Sequence, residues 1–477
     1  MNTTLAALRR WPDAAPALAW PGGGMNYGEL RARVDALARV AGPLGAGDTG
    51  ATRSPLAIVS RSRIDMVLGV LAARRLGRPA LPLDPTRPDL GDCLAAVAPG
   101  GALADPDAVL PQALPRAPFS AATLPRGAPA VPPAVPPALP PEGAPDHDDH
   151  PDWALLVPTS GTGGATRIAM LSAATMDAHV AASAQRLPTL ASGDRWLLCL
   201  PMTSIGALAA LWRTLAAGAC LALLERFDPA EARALMASGA SHVSVVPAML
   251  EPLAAARAPA PQGLRCLLSG GGPLSAQAAG CALAKGWPLW NGWGMTETAS
   301  HVAAGPVDAD WHEGVAGTPL PGVELALDHA SGRLVIAGPM LMSGYASPGL
   351  QPGAGLRPDG RLLSGDRGEF LPDGRLRLLG RADDVIVTGG VNVHPEDVER
   401  VLANCPGIGE VALTARPDAR WGMALVALYT GEAAPATLDA WAREQLPSAS
   451  RPREFRRVAA LPRNAMGKLL RNALPGL

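Results

Sequence analysis

Only two of the 41 basic residues in this chain of 477 are lysines, Lys285 and Lys468. Lys285 lies in a segment with an ordinary helical pattern, whereas Lys468 ends the stretch Leu-Pro-Arg-Asn-Ala-Met-Gly-Lys at 461–468. Lysine offers a compact charge on a flexible stem, and arginine offers a broad planar fork. We therefore expect Lys468 to place a single ammonium group on a carboxylate or phosphate oxygen. The alternative is a surface lysine retained by chance.

A loop rich in glycine and hydroxyl groups follows the apolar strand predicted at 153–157. It reads Pro-Thr-Ser-Gly-Thr-Gly-Gly-Ala-Thr-Arg at 158–167. Glycines let backbone N–H groups converge on an anion, hydroxyls add donors, and Arg167 adds charge. The Walker spacing is absent. The pattern favours a phosphate-binding loop over a plain flexible turn.

Two later segments carry acidic residues beside glycine. The first, Trp-Asn-Gly-Trp-Gly-Met-Thr-Glu-Thr at 290–298, could let a flat base stack on an aromatic ring. There Thr296 can bond a phosphate oxygen and Glu297 can hold magnesium, a hard cation that favours oxygen ligands; a decorated turn is the alternative. In the second, Ser-Gly-Asp at 364–366, Asp366 closes a predicted strand and can accept hydrogen bonds from a ribose diol.

The segment 380–399 also combines charged residues with glycines, and each piece has a purely structural alternative. Asp383 can start a strand, Gly389 and Gly390 can form a hairpin turn, and the Pro-Glu-Asp at 395–397 is a good helix start. The acidic and histidine run at 147–150 is interpreted as a solvated turn rather than a metal site, because adjacent residues of an extended chain point in opposite directions.

Bulk properties bound the function. The length predicts two or three domains, and 48% hydrophobic residues can bury large cores. A net charge of −1 gives no global field for nucleic acid or an anionic membrane. No signal-type N-terminus and no apolar stretch of about 18 residues is present, so a soluble cytoplasmic protein is the simplest interpretation. The six cysteines are scattered without a C-x-x-C pair, which argues against disulfides or structural zinc.

The elements that must position these residues alternate between strand and helix. This alternation over 55–83 and again over 153–268 predicts a doubly wound α/β region. The proline-rich 111–151 is predicted to be an extended surface connection. From about 313 short strands with Gly, Pro and Asp turns predict a smaller β-rich subdomain, and from 383 a compact α+β module follows.

In their order and spacing, the glycine loop, W-G-M-T-E, S-G-D, G-R-x-D-D, G-G-x-N-x-x-P-E-x-V-E and P-x-x-x-x-G-K together resemble the adenylate-forming (AMP-binding) enzymes. That family includes acyl-CoA ligases, adenylation domains of peptide synthetases and luciferases. The resemblance covers roughly 20–472, and 295–298 with 462–468 look most similar to the o-succinylbenzoate–CoA and benzoate–CoA ligase branch. It implies a large N-terminal domain at 1–382, built from doubly wound α/β subdomains and a small β-rich subdomain. A small mobile α+β lid carrying the catalytic lysine follows at 383–477.

The resemblance also implies roles by position. The catalytic residues would be Lys468, Thr296 and Glu297, and Glu297 would also bind the metal. The ATP site would comprise Thr159, Ser160, Gly161, Thr162, Gly164, Arg167, Gly271, Trp293, Gly294, Asp366 and Arg381. Asp383 would be the hinge, and Gly389 and Gly390 would face the pantetheine of CoA. The acyl pocket would be lined by Ser204, Ile205, Gly206, Gly270, Gly292 and His301.

The implied function is ATP-dependent activation of a carboxylic acid, aryl or medium-length, to an acyl-adenylate. Pyrophosphate is released and the acyl group then passes to the CoA thiol. ATP, Mg²⁺ and CoA would be the cofactors and a small acid the partner. Neither nucleic acid nor a membrane is expected as a partner, and a homodimer stays open. One alternative is transfer to a carrier-protein phosphopantetheine or to an amine; another is a degenerate nucleotide-binding scaffold.

Two departures from the family pattern bear on this expectation. The glycine loop normally reads T-T-G-x-P-K-G, and here the second threonine, the proline and the lysine are replaced, although Arg167 keeps the charge. The segment 200–206 lacks the aromatic–histidine pair that related ligases place near the entering carboxylate, so His301 or a backbone donor would substitute. No arginine-lined acyl entrance stands out to signal a dicarboxylate.

Overall fold

The computed structural model describes residues 8–44, 54–122, 153–159, 166–255, 259–346, 352–464 and 467–476. The chain divides into two compact units. Unit 1 comprises Met1–Glu313, Gly317–Glu324 and Ala337–Leu362, and unit 2 comprises Gly314–Ala316, Leu325–Ile336 and Leu363–Leu477. Unit 2 therefore contains residues 363–382 as well as the predicted lid, and the boundary after residue 382 stays a prediction.

The helices follow in chain order: α1 (Tyr27–Ala41), α2 (Arg63–Arg75), α3 (Leu90–Val97), α4 (Ala173–Ala184), α5 (Ile205–Ala217), α6 (Pro229–Ala237), α7 (Pro247–Ala255), α8 (Ala276–Leu283), α9 (Pro395–Leu402) and α10 (Pro435–Gln445). Short 3₁₀ helices occupy Phe119–Ala122, Thr296–Thr298, Ser448–Ser450 and Arg471–Gly476.

The strands follow in the same way: β1 (Pro16–Trp20), β2 (Gly23–Asn26), β3 (Leu56–Val59), β4 (Ala80–Leu83), β5 (Gly101–Ala104), β6 (Arg116–Pro118), β7 (Trp153–Thr159), β8 (Arg167–Ser172), β9 (Arg195–Leu198), β10 (Cys220–Leu223), β11 (His242–Val245), β12 (Cys266–Ser269), β13 (Leu289–Met295), β14 (Ser300–Pro306), β15 (Val315–Pro319), β16 (Glu324–Leu327), β17 (Arg333–Ala337), β18 (Gly344–Tyr345), β19 (Leu362–Phe370), β20 (Leu376–Arg381), β21 (Ile386–Thr388), β22 (Val391–Val393), β23 (Ile408–Asp418), β24 (Gly422–Gly431) and β25 (Glu454–Arg457).

Two sheets form the frame of unit 1. In one, the strands run in the order β14-β13-β12-β11-β9-β10-β1-β2, and those from β13 to β1 pair in parallel. In the other the order is β18-β8-β7-β4-β3-β5-β6. Central strands such as β3 and β12 are buried along their whole length, as expected of parallel strands covered by helices on both faces. The predicted α/β class is confirmed.

Side-chain caps fix where the helices begin. Asn26 and Glu29 form a capping box at the start of α1, and serines cap α2, α4, α5 and α8. A cap oxygen satisfies a backbone N–H that has no partner within the helix. Ser204 is the cap of α5, since its hydroxyl accepts from the Ala207 amide at 3.3 Å. This cap sets the direction in which α5 leaves the sheet.

Unit 2 carries three small antiparallel arrangements. β19 pairs with β20, β21 pairs with β22 through the Gly389–Gly390 turn, and β23 pairs with β24, to which β25 is added in parallel. The helices α9 and α10 cover this last sheet, and their core includes Leu402, Tyr429 and Leu438. A second apolar cluster contains Leu461 and Leu474, which lie on either side of Lys468 in the sequence.

Two local predictions, for 364–366 and for 111–151, need correction. Ser364 to Asp366 lie inside the nine-residue strand β19 rather than at its end, because the pairing with β20 continues from Asp366 to Phe370. The segment at 290–298 is a strand and a 3₁₀ turn, with alternating burial along β13. Part of 111–151 is ordered as β6 and the 3₁₀ helix Phe119–Ala122. The run at 147–150 lies outside the described residues. Within the described chain, no helix is long and apolar enough to cross a membrane.

Candidate active site

The glycine loop connects two paired strands. β7 and β8 are antiparallel, and Thr159 lies opposite Arg167. Ser160, Gly161, Thr162 and Gly164 lie outside the described residues. At the end of the loop the Thr166 hydroxyl donates to the Asp89 carboxylate, which also accepts two hydrogen bonds from Arg87, at 2.7 and 2.8 Å. These hydrogen bonds, from Arg87 first, lower the pKa of Asp89 to about 2. Asp89 is therefore an anionic anchor for the second arm of the loop.

A tight turn presents the predicted phosphate and metal residues. Thr296 and Glu297 are half-buried in the 3₁₀ turn after β13, and the Thr298 hydroxyl closes it by accepting from the Met295 amide at 3.0 Å. The next two residues, Ala299 and Ser300, have φ values of 55° and 123°. Such values are uncommon outside glycine and recur at functional sites. A side chain at Gly294 would collide with the Ser300 carbonyl, so the bend needs a glycine there.

Glu297 is held by a residue that the sequence analysis missed. The Tyr345 hydroxyl donates to Glu297 Oε1 at 2.6 Å, and the Met342 amide donates to the Glu297 carbonyl at 2.8 Å. Burial, together with the charge of Glu297, raises the pKa of Tyr345 above its ordinary value. The phenol therefore stays protonated and acts as a donor. The Arg167 guanidinium lies over the Tyr345 ring, 5.4 Å from its centroid.

The donor set at this turn fits a magnesium ion that arrives with a triphosphate. Mg²⁺ usually takes one or two protein carboxylates and completes its shell with phosphate oxygens and water. Glu297 supplies one half-buried carboxylate. Among the described residues, no group of three or more His, Cys, Asp or Glu side chains forms a self-sufficient metal site. Glu297 is thus suited to the metal of a metal–ATP complex.

The ends of three neighbouring strands bring part of the predicted acyl pocket together. A Cβ at Gly270 would lie 3.2 Å from the Gly292 carbonyl, and one at Gly292 would lie 3.4 Å from His301 Cβ. Gly271 is exposed with φ +78°, so the backbone bends away after β12. Trp293, on the same strand as Gly292, is buried with 7% exposure. Whether it adjoins adenine stays a prediction.

The start of α5 supplies the remaining predicted pocket residues. Ser204 caps the helix, and both Ile205 and Gly206 are half-buried. A Cβ at Gly206 would lie 3.0 Å from a Leu200 methyl, so this glycine permits close packing of the helix start. The helix then packs against β14, the strand that carries His301.

A buried arginine, also missed by the sequence analysis, lies between α5 and β14. Arg213 is 5% exposed, and its Nη2 donates to His179 Nε2 at 2.8 Å and to His301 Nδ1 at 3.2 Å. Because a guanidinium only donates, both of these imidazole nitrogens must accept. The proton of His301 is then on Nε2, which donates to the Ser183 hydroxyl at 2.9 Å.

The two histidines are neutral. Burial, followed by the charge of Arg213, lowers the pKa of both His179 and His301 well below the ordinary value. Both nitrogens of His301 are already bonded, to Arg213 and to Ser183, so a neutral His301 links these two residues. Its predicted role in place of the missing histidine stays a prediction. His179 Nδ1 and Arg213 Nε are buried and have no hydrogen-bond partner among the described atoms.

Arg213 keeps its own charge without a carboxylate. Burial lowers the pKa of Arg213 to about 10, which still leaves it protonated at neutral pH. Within the part of the chain that the structure describes, no Asp or Glu lies within ion-pair distance of its guanidinium. The guanidinium carbon lies 5.2 Å from the centroid of the Trp196 ring, a cation–π contact. A buried charge without a carboxylate partner is still costly unless an opposite charge is brought to it. The cluster of Arg213, His179, His301 and Ser183, called the Arg213 cluster below, is thus suited to an anionic ligand group.

In unit 2 the structure joins the predicted ribose and hinge residues. Asp366 and Arg381 face each other across β19 and β20, with 3.3 Å between Asp366 Oδ1 and Arg381 Nη1. Arg381 Nη2 also lies 3.1 Å from Asp383. The Ala382 amide donates to the Gly365 carbonyl at 2.8 Å, which fixes the chain just before the hinge position.

Lys468 is exposed on a small loop with defined anchors. The Asn464 amide donates to the Lys468 carbonyl at 2.9 Å, and the Lys468 amide donates to Asn464 Oδ1 at 3.0 Å. Gly467 adopts φ +70° at the bend. After the loop comes Arg471, which is the centre of a dense ion-pair cluster.

Arg471 contacts three carboxylates. Its guanidinium lies 3.1 Å from Asp384, 3.1 Å from Glu396 and 2.8 Å from Glu399. Burial alone would lower the pKa of Arg471, but the hydrogen bonds and charges of Glu399 and the other two carboxylates outweigh it and raise the pKa. These contacts, called the Arg471 cluster below, connect the Lys468 loop to α9 and to the residue after Asp383.

The two predicted pantetheine glycines form the β21–β22 turn. Gly389 and Gly390 have φ values of 54° and 79°, and the Gly389 amide donates to the Trp421 carbonyl at 2.8 Å. A Cβ at Gly389 would lie 2.8 Å from the Trp421 ring. The turn interpretation is confirmed, while contact with pantetheine stays a prediction.

Comparison with known proteins supplies the family context. Family models described as AMP-binding enzyme and AMP-binding enzyme C-terminal domain match residues 5–346 and 397–468. A 2-succinylbenzoate–CoA ligase from Lactococcus lactis is 32% identical over 337 residues, which cover 69% of this chain and 72% of that protein. The o-succinylbenzoate CoA synthetase from Bacillus subtilis, solved with its acyl-adenylate intermediate, superposes with a TM-score of 0.83 at 25% identity, covering 99% of this chain and 97% of the other. ATP-bound MatB from Rhodopseudomonas palustris gives 0.84 at 25% identity, covering 99% and 98%.

Proposed function

This chain belongs to the AMP-binding enzyme family, and we propose that it activates an aromatic dicarboxylic acid of the 2-succinylbenzoate type with ATP and transfers the acyl group to CoA. The predicted class, an AMP-forming acid–thiol ligase, is confirmed, since the relatives that match most of the chain are named CoA ligases. Support for ATP, magnesium and CoA as its cofactors comes from the same names and from a related synthetase solved with ATP and a magnesium ion.

The observation that carries the choice of acid is the Arg213 cluster. 2-Succinylbenzoate has one carboxyl group on the ring and one at the end of the succinyl chain. One must react, and the other stays anionic. Arg213 offers a buried cation with no carboxylate among the described residues, and His179 and Arg213 each add an unpaired N–H. A bound carboxylate would supply the charge and acceptors that these groups lack.

The residues act on the reacting carboxylate as follows. Attack of its oxygen on the α-phosphorus brings two anions together, so fixed positive charge must stabilise the transition state. Lys468 supplies an ammonium group, and Thr296 donates its hydroxyl to a phosphate oxygen. The magnesium ion, when bound, neutralises phosphate charge, and Glu297 would hold it. Asp366 would accept hydrogen bonds from the ribose hydroxyls, while Arg381 keeps Asp366 oriented.

The proposal also covers the acceptor of the acyl group, the oligomeric state and the cellular location. CoA is favoured as acceptor because the relatives are named CoA ligases; a carrier-protein phosphopantetheine is the alternative outcome of the test below. A cytoplasmic location is consistent with six cysteines that are all free. The fold is compatible with a homodimer, but no contact between two copies of this chain supports one.

The test is pyrophosphate release from ATP and magnesium with 2-succinylbenzoate, with and without CoA, and mass detection of the thioester. We expect acid-dependent release, and Lys468→Ala should slow it by about 10²- to 10³-fold, the usual effect of removing one transition-state charge donor. Lys285→Ala is the matched control because Lys285 Nζ donates to the Ala254 carbonyl, outside the predicted site. No pyrophosphate release with this acid, or an equal loss of rate in the two lysine variants, would contradict the proposal. Acyl transfer to a carrier protein but not to CoA would select the alternative acceptor.

A further inference from the structure

Resting on the proposed function, we propose that Tyr345 is a positioning residue for the metal-binding carboxylate of Glu297, and that Arg167 of the glycine loop acts by holding Tyr345. The altered basic residue of this loop would then serve the metal site rather than touch a phosphate directly. Nothing in the family motifs quoted above includes Tyr345. The inference starts from the contacts Arg167–Tyr345 and Tyr345–Glu297.

The backbone around Tyr345 is fixed on both sides. Tyr345 lies on β18, opposite Ala169 of β8, and the next amide, of Ala346, donates to the Ile168 carbonyl at 2.7 Å. The Tyr345 amide itself donates to the Ala354 carbonyl at 2.8 Å. β8 is the strand that begins at Arg167, so the strand leaving the glycine loop pairs directly with the strand that carries Tyr345.

The ring has little freedom. A side chain at Gly355, which has φ +85°, would collide with the Tyr345 ring, so the ring packs directly on the glycine backbone. Arg167 and Ala169 point to the same face of β8, and Tyr345 lies opposite Ala169. Arg167 is therefore a diagonal cross-strand neighbour of Tyr345, within reach of a long side chain. Its exposed guanidinium covers the ring at 5.4 Å.

These contacts fix the position of one carboxylate oxygen of Glu297. Oε1 accepts the phenol hydrogen bond at 2.6 Å, and the backbone carbonyl of Glu297 accepts from the Met342 amide, so residues 342–345 hold both the backbone and the carboxylate of Glu297. A carboxylate held at one oxygen presents the other in a fixed direction. Partners of this kind, which orient a metal ligand without touching the metal, typically change metal affinity by about 10- to 100-fold when removed.

The test measures metal-dependent nucleotide binding without any acid. ATP binding to the full chain is titrated calorimetrically across a magnesium series and in EDTA. Tyr345→Phe keeps the ring and removes only the hydroxyl. We expect it to raise the magnesium concentration for half-maximal enhancement by about 10-fold while metal-free ATP binding is unchanged. An unchanged magnesium dependence in Tyr345→Phe, in a wild type that shows one, would overturn the inference and leave the proposed function intact.

Arg167→Met tests the second half. If Arg167 acts through Tyr345, Arg167→Met should raise the magnesium concentration for half-maximal enhancement by less than Tyr345→Phe does. In the double variant the two effects should not add, as expected for residues that act through one another. Additive effects, or a loss of metal-free ATP affinity in Arg167→Met, would show direct phosphate contact and overturn this half. A wild type with no magnesium-dependent ATP binding would contradict both the inference and the proposed function. Thermal melting of each variant shows that it is folded.

Discussion

Two largely buried arginines in this molecule have opposite surroundings. Arg471 in unit 2 contacts three carboxylates. Arg213 in unit 1 contacts two neutral imidazoles and the face of the Trp196 ring and, within the described residues, no carboxylate. Their pKa values move in opposite directions, raised for Arg471 and lowered to about 10 for Arg213. Three carboxylates surround the single positive charge of Arg471, whereas no carboxylate among the described residues lies beside Arg213. The contrast indicates that Arg471 stabilises the fold, and it supports the proposal that Arg213 binds a substrate carboxylate.

The neighbouring residues support this division of roles. Arg471 follows the Lys468 loop and holds it to α9 through Glu396 and Glu399, so its partners are parts of the frame. In the Arg213 cluster, two buried nitrogens, His179 Nδ1 and Arg213 Nε, have no hydrogen-bond partner among the described atoms. A folded protein rarely leaves such donors unpaired in its interior, and each exception calls for an explanation such as a ligand or water.

The largest expected difference is in stability. Arg471→Gln leaves three carboxylates facing one another and should lower the free energy of unfolding by about 3 kcal/mol, as when one partner of a buried ion pair is removed. Arg213→Gln removes a buried cation that has no carboxylate partner among the described residues, so the stability of this variant should stay within about 1 kcal/mol of wild type. Urea unfolding of both variants measures this difference. Equal losses of stability in the two variants would contradict this comparison, because Arg213 would then contribute as much to the fold as Arg471 does.

The second expected difference is a response to acid. His179 and His301 are neutral when folded because their pKa values are depressed, while in the unfolded chain they titrate near 6.5. Below that pH the unfolded state binds protons that the folded state does not, so stability is lost as pH falls. The loss should approach about 1.4 kcal/mol per histidine for each pH unit below about 6.5.

Urea unfolding between pH 7.5 and 5.5 measures this loss of stability in acid. The variant His179→Gln tests whether the histidines of the Arg213 cluster cause it. It should remove the share of one histidine from this loss, while His301 and two further histidines with lowered pKa values, His242 and His394, still contribute. Arg471→Gln should keep the full histidine response, because its cluster contains no histidine among the described contacts. A wild type whose stability does not fall over this range would contradict the neutral state assigned to the Arg213 cluster.

The sequence predicted most of the frame and the local motifs. The strand–helix alternation of unit 1 and the turn at Gly389–Gly390 follow from periodicity and turn chemistry, which act between near neighbours. The spacing of Gly270, Gly292 and His301 along the chain does not reveal their contact, but the family resemblance placed all three in one pocket, and the structure brings them together.

The residues that were missed depend on long-range contacts. Arg213 is 34 residues from His179 and 88 from His301, and inside an apolar helix it resembles a chance substitution. Tyr345 is 48 residues from Glu297, and Arg471 is 72 from Glu399. No local pattern encodes such pairs, since they arise only when strands and helices pack. The sequence analysis looked for an arginine-lined acyl entrance, whereas Arg213 lies buried within a helix rather than at an exposed entrance. The proposed recognition of a second carboxylate therefore depends on a residue that only the folded structure reveals.

The most direct test of the central claim is a cycle of enzyme and substrate variants. The kcat/KM for pyrophosphate release is measured for 2-succinylbenzoate and for its two analogues that each lack one carboxyl group, with wild type and Arg213→Gln. The wild type should prefer the diacid over the analogue that keeps only the reacting carboxyl by about 100-fold, and Arg213→Gln should lose most of that preference, as for a buried charge pair worth about 2–5 kcal/mol. The same preference in both enzymes would contradict the account, because the second carboxylate would then be recognised elsewhere or not at all.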